Sequence, residues 1–314
     1  MTSLATYKPV MDQFFRKYPS YNEIFGQLYT WSKLFPNFVT LDFLGKTSEK
    51  RPLMVILLTD RSSGSIPVVD RPTIWLNGGQ IARDWITITS LMWSAFQILQ
   101  GGIQNDPKFA NPLQSFVFLI SPCINPDGYE YSKNVNRSWM KNRQNYVNLD
   151  RNWNFHWTVD WQLNDPKDAE YSGTSPFSES ETQLYSEYII EKVKNRHAGL
   201  DFNSNGERIL RTWGYTKQLP KEYLRLDDLG KKLTDSALTL GTNFTYNSIA
   251  QVDQKSGNLC DWMVGAAKML CYRIDLAEKD NYEIPPEKIP HYGNIALEII
   301  VEFSNYLMQN IIPS

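Results

Sequence analysis

A chain of 314 residues, 42% of them hydrophobic, is long enough to bury a sizeable core as one large α/β domain or two small ones. Its formal charge of −2, with no basic run, argues against nucleic acid or an anionic membrane surface as a partner. No apolar stretch approaches the ~18 to 20 residues of a membrane span, and the opening MTSLATYKPVMDQFF lacks the layout of a signal peptide.

Ser20 and Glu23 have capping-box spacing ahead of a helix that carries Ile24, Leu28 and Trp31 on one face. Extended apolar runs follow at FVTLDFLG, LMVILLT and TIWLN, the middle one apolar on both faces as a buried strand is. ITSLMWSAFQILQ reads as a buried helix, and SFVFLIS as a second two-face strand. The longest irregular region, about Gly128 to Pro176, is rich in Asn, Arg, Trp and Tyr, and loops of that length usually shape a site. Ser178 and Glu181 repeat the capping-box spacing before a helix with Tyr185, Ile189 and Val193 on one side. A strand at AGLDF, an amphipathic helix at EYLRLDDLGKKLTDSAL and a strand at KMLCYRIDL lead to a closing helix with Ile299, Phe303 and Leu307. The alternation predicts one α/β domain over residues 1–314, a mixed, mostly parallel twisted sheet with helices on both faces and no propeptide or signal peptide.

Cys123, Cys260 and Cys271 are an odd count without metal-ligand spacing and read as buried, inert thiols. Two sequons, at Asn136 and Asn243, carry glycan only if the chain is secreted. Ligands of open α/β sheets collect at the carboxyl ends of the strands. GGQIARDW, SPCINPDGY, NSNGER and DLAEKD each follow a predicted strand, so four loops converge on one rim and define a pocket.

In chain order these segments resemble the zinc metallocarboxypeptidases of the carboxypeptidase A/B family. GQIARDWIT looks like the family's G-x-H-x-R-E-W-I, and INPDGYEYS, NRSWMKNR, LDRNWNF, YSGTSPFSESET, SGNLCDW and YRIDL complete a collinear set from about Tyr7 onward. The resemblance implies a carboxypeptidase-like fold, and it also places departures. Ile81, Asp84 and Asn203 stand where the family has its His, Glu and His zinc ligands; Asp275 stands for the general-base glutamate and Met140 for the arginine that polarises the scissile carbonyl. The substrate-binding positions are Arg83 and Arg137, lining the groove, Asp150 and Arg151, in place of an Asn-Arg carboxylate clamp, and Cys260 in the specificity pocket. Ala250 or Asp253 falls where the mobile tyrosine belongs.

Isoleucine has no electron pair to donate and asparagine is a poor zinc ligand, so zinc is expected to be absent. His156, His197 and His291 are the chain's histidines, and none is placed to substitute. The carboxylates are expected to pair with Arg83 and Arg151; a hard cation such as Ca2+ or Mg2+ at Asp84 and Asp275 is the alternative. The expected function is a catalytically inactive homologue with a peptide-groove scaffold, binding a peptide C-terminus or a protein partner, extracellular if the chain is a mature form. Two alternatives remain: a hydrolase using an altered metal or an Asp84–Asp275 acid–base pair, and a ligand-free structural role.

Overall fold

The structure, a computed structural model, describes residues 4–158 and 165–311. Helices α1 (Leu4–Phe14) and α2 (Tyr21–Leu34) precede the antiparallel strands β1 (Val39–Lys46) and β2 (Pro52–Leu58). Strand β3 (Thr73–Asn77) leads through α3 (Trp85–Ile103) and α4 (Pro107–Ser115) to β4 (Val117–Ser121), and α5 (Pro126–Asn134) follows. Beyond the long connection come α6 (Ser180–Glu191), β5 (Arg196–Asn205), β6 (Arg208–Arg211) and α7 (Tyr223–Leu238). Strand β7 (Thr245–Ser248), α8 (Ile249–Val252), α9 (Leu259–Gly265), β8 (Leu270–Ala277) and α10 (Ile289–Ile311) complete the chain.

The strands form one eight-stranded sheet in the order β1-β2-β4-β3-β5-β8-β6-β7. Its centre, β4-β3-β5-β8, is parallel throughout, while β1, β2 and β6 introduce antiparallel pairs. The two-residue period of a strand divides the core into two layers. Ile74 and Leu76 of β3 pack with residues of α2, α3 and α10, whereas Trp75 joins Tyr185 of α6 and Trp262 of α9 on the opposite face. Burying each such large side chain contributes about 1.5–3 kcal/mol. Gly199 is required on that second face, because a Cβ there would lie 2.6 Å from the Trp75 carbonyl and closer still to Met263.

The predicted fold class is therefore observed, and so is the Ser20–Glu23 capping box. The second capping box is not. Glu179 takes the N-cap position of α6, and Ser178 donates to the Glu179 carboxylate instead. Amides of Asn142 and Asn145 hold that buried carboxylate, which commits the helix start to it. The region read as irregular from Gly128 in fact opens in α5, with Pro126 in its first turn and Asn125 as N-cap. The thiol assignment is also corrected: Cys260 of α9 and Cys271 of β8 form a disulfide, with Cα atoms 5.4 Å apart, and only Cys123 is free. An odd total concealed a pair plus one thiol, and no spacing rule links a short helix to the strand after it.

Candidate functional site

Neighbouring strands β3, β5 and β8 point their carboxyl ends to one rim, where the chain leaves β3 toward β4 on one side and leaves β5 toward β6 on the other. After Asn77 the chain turns through Gly79, whose φ of +63° favours glycine, and reaches Gln80 to Asp84 before α3 begins. Asp84 occupies the N-cap of α3 but does not cap it; its carboxylate reaches β5 and accepts the Ser204 N–H at 3.0 Å. Burial pushes the Asp84 carboxyl above its ordinary pKa, with the Ser204 contacts partly opposing.

Parallel register sets Asn203 opposite Asp275 and Asp201 opposite Arg273. Alternation then turns all four side chains to the same face of the sheet. The Asn203 amide donates to Asp201 at 3.0 Å. Asp275 is gripped by two arginines: Arg273 donates to one oxygen at 2.7 Å, and Arg208 approaches the other at 2.8–3.0 Å. Arg273 also reaches Asp150 at 3.3 Å, and Lys255 meets the same Asp150 oxygen at 3.0 Å. The second Asp150 oxygen accepts from Gln80 at 3.1 Å and from the Leu259 N–H at 3.3 Å.

The result is a buried chain of charges, Arg208–Asp275–Arg273–Asp150–Lys255, three cations against two carboxylates. Burial opposes ionisation of Asp150, but the Lys255 and Arg273 charges outweigh it and hold its pKa below the usual range. Burial and the nearby Asp150 charge push Asp201 up to about 8, so at pH 7 it is mainly protonated.

The pairing expected of these carboxylates exists for Asp150 and Asp275, with other cations than Arg83 and Arg151, whereas Asp84 has no ion-pair partner among the described residues. Arg83 lies over the Tyr282 ring, 4.7 Å from its centroid, and Arg151 pairs with Glu170 at 3.2 Å. Arg137 stacks 3.6 Å from the Trp85 ring and donates to the Arg83 carbonyl at 2.8 Å and to the Tyr282 carbonyl. Cys260 is fully buried in its disulfide and offers no thiol to a ligand. Ile81 and Met140 are half-buried on adjoining segments, which the Ala82 N–H joins through the Met140 carbonyl at 2.9 Å. Between Arg83, Asp84, Ser204 and Tyr282 remains a cavity of only about 10 Å³.

His197 sits at the amino end of β5, on the opposite rim, as expected from its distance to Asn203. His156 stacks on Tyr215 with ring centroids 3.9 Å apart, and His291 lies in α10. Among the described residues no group of three His, Cys, Asp or Glu side chains is placed to hold a metal ion. Sequence reasoning missed Gln80, Glu170, Asp201, Arg208, Lys255 and Arg273. For Asp201 and Arg273 a signal existed, because each stands two residues from a position already singled out on the same strand.

A zinc carboxypeptidase (Peptidase M14) sequence profile matches residues 27–299. The inactive metallocarboxypeptidase ecm14 of Talaromyces marneffei is 26% identical over 331 residues, covering 95% of this chain. The chain spans only 56% of that relative's length. Carboxypeptidase B of Astacus astacus is 27% identical over 303 residues, covering 92% of this chain and 97% of that one. Carboxypeptidase A from Helicoverpa armigera superposes with a TM-score of 0.83 at 23% identity, over 95% of this chain and 76% of the other. With most of its length matched by one profile, and the same eight-stranded architecture beneath, the chain belongs to the zinc carboxypeptidase family.

Proposed function

We propose that this chain is a catalytically inactive zinc carboxypeptidase homologue whose former reaction centre has become a structural charge network. The observation carrying this reading is Asp275, both of whose oxygens are bound to arginines. A general base needs an oxygen free to take a proton from water, and both Asp275 oxygens already accept from guanidinium N–H groups. The donor set does not fit zinc either. Ile81 offers no lone pair, the Asn203 amide is directed to Asp201, and the buried Asp84 carboxylate accepts a backbone N–H. Met140 supplies neither charge nor hydrogen bond to a developing oxyanion, and loss of one such donor costs about 100- to 1000-fold. The same pairing of Asp275 weighs against a hard cation there and against an Asp84–Asp275 acid–base hydrolase. Relatives named as inactive metallocarboxypeptidases are consistent with this reading. Purified chain exposed to excess zinc and then gel-filtered should retain less than about a tenth of an equivalent and release no C-terminal amino acids from peptide libraries. Stoichiometric zinc, or turnover that follows the protein through purification, overturns the proposal.

The ligand this scaffold retains the means to bind is a peptide C-terminus, recognised by Arg151. Glu170, with a partly exposed carboxylate, now occupies the Arg151 guanidinium, so an incoming carboxylate has to displace it. With Arg151 buried and Glu170 partly exposed, the pair is screened from one side only and contributes on the order of 1 kcal/mol. Removing the competitor with Glu170→Gln should therefore tighten binding of a free-acid peptide up to about fivefold and leave the amidated peptide unchanged. Calorimetry checks this. Equal heats for acid and amide, or none in either protein, eliminate carboxylate recognition.

A further inference from the structure

Among the described residues the carboxyl rim of the sheet is filled and the opposite rim is open. A cavity of about 990 Å³ lies there, between the amino ends of β5 and β8, the start of α7 and the stacked Phe155–Trp213 pair. Sites for small organic ligands occupy roughly 300–1,000 Å³. From His197 at this cavity to Asn203 at the former reaction centre is roughly 20 Å of extended strand, so the two places are chemically independent.

Its polarity is graded. Leu226, Leu229 and Met269, all buried, form an aliphatic floor. Lys221, Arg225 and Lys268 are exposed at the mouth, against one carboxylate, Glu222, which lies 3.7 Å from Arg225. Half-buried His197 stands between floor and mouth. Burial, and secondarily the Arg225 charge, lowers its pKa, so near neutral pH the ring is uncharged and able to donate one hydrogen bond. An apolar bed with a cationic mouth matches a molecule having a hydrocarbon body and one anionic end.

We propose that this cavity binds an amphipathic carboxylate, its saturated acyl chain on the Leu226–Leu229–Met269 floor and its head group between Arg225 and Lys268. The aliphatic floor selects the chain and the excess of cations selects the sign of the head. Burial of each methylene contributes about 0.8 kcal/mol, so affinity rises roughly tenfold for every two methylenes that reach the floor.

Calorimetry of the full chain with octanoate, decanoate, decanol and decyltrimethylammonium tests this. The expected result is saturable one-to-one binding of decanoate, with octanoate about tenfold weaker. Decanol and the cation should each bind at least tenfold more weakly than decanoate. The double variant Arg225→Glu/Lys268→Glu should lose at least tenfold for decanoate with little change for decanol. Both positions are exposed, so the fold tolerates them. Val264→Trp, at a half-buried lining position, should weaken decanoate and decanol alike. Absence of saturable decanoate binding overturns the proposal. So does equal affinity for the three ten-carbon amphiphiles, or a charge-reversed variant that keeps the parent's affinity.

Discussion

Replacing Arg273 with alanine should destabilise the fold by about 3 kcal/mol and lower the midpoint of thermal unfolding by roughly 5 °C or more. Arg273 is the shared cation of Asp275 and Asp150, and neither carboxylate has water to turn to. Breaking a buried pair typically costs about 3–5 kcal/mol, because the partner's charge stays behind without compensation. The low end applies here, since Arg208 still holds Asp275 and Lys255 still holds Asp150. Arg83→Ala is the matched control. Its guanidinium lies half-buried over Tyr282, and losing such a contact costs about 1 kcal/mol or less. Circular dichroism melts of both variants at pH 7 decide the matter. If Arg273→Ala melts within a degree or two of the parent, the charge chain is not a stabilising element.

Asp201→Asn should act in the opposite direction, with an effect that depends on pH. The folded-state pKa of Asp201 is raised to about 8, whereas an unfolded aspartate ionises near ~3.9. Between those values the folded chain binds more protons than the unfolded one, so this group makes stability fall as pH rises, levelling off above about 8. Asparagine is neutral at every pH and keeps an acceptor for the Asn203 amide. Nor does it bury a new kind of group: the other Asp201 oxygen has no partner among the described residues, so a neutral donor is unpaired there with or without the substitution. The variant should match the parent near pH 4 and exceed it by about 2–4 kcal/mol at pH 7, since every tenfold difference in proton affinity between the folded and unfolded chain is worth about 1.4 kcal/mol. Urea unfolding at pH 4, 5.5, 7 and 8.5 measures the difference. A gap that does not widen with pH would place the Asp201 titration in the ordinary carboxylate range.

Those strands that are apolar along their length were readable from sequence because burial on both faces leaves an unmistakable run. TIWLN and SFVFLIS are β3 and β4 with little adjustment. The short strands β6 and β7 carry no such signal, since RILR and TYNS are four residues long with polar ends, and their pairing is decided by β8 and by each other. At the carboxyl rim, Asp84, Asn203 and Asp275 do converge, because strand ends and register place them there. What sequence does not encode locally is which cation answers each carboxylate. Arg83 and Arg151 were the neighbours along the chain, but the backbone geometry of the α3 start and of the 149–151 turn directs them to Tyr282 and Glu170. Lys255 and Arg208 arrive from segments with no periodic pattern, and the Cys260–Cys271 bond depends on how α9 sits against β8.

The charge chain bears on time as well as on equilibrium. Its links join positions far apart along the polypeptide, 123 residues between Asp150 and Arg273 and 67 between Arg208 and Asp275. The strands that carry these side chains pair across comparable separations, Trp75 with Gly199 and Leu200 with Tyr272, and the ion pairs are expected to close only once that register is in place. Interactions absent from the folding transition state leave the folding rate nearly untouched and act on the barrier to unfolding. The charges gathered at this rim would thus set the lifetime of the native chain, and Arg273→Ala should reveal it as faster unfolding with refolding unchanged.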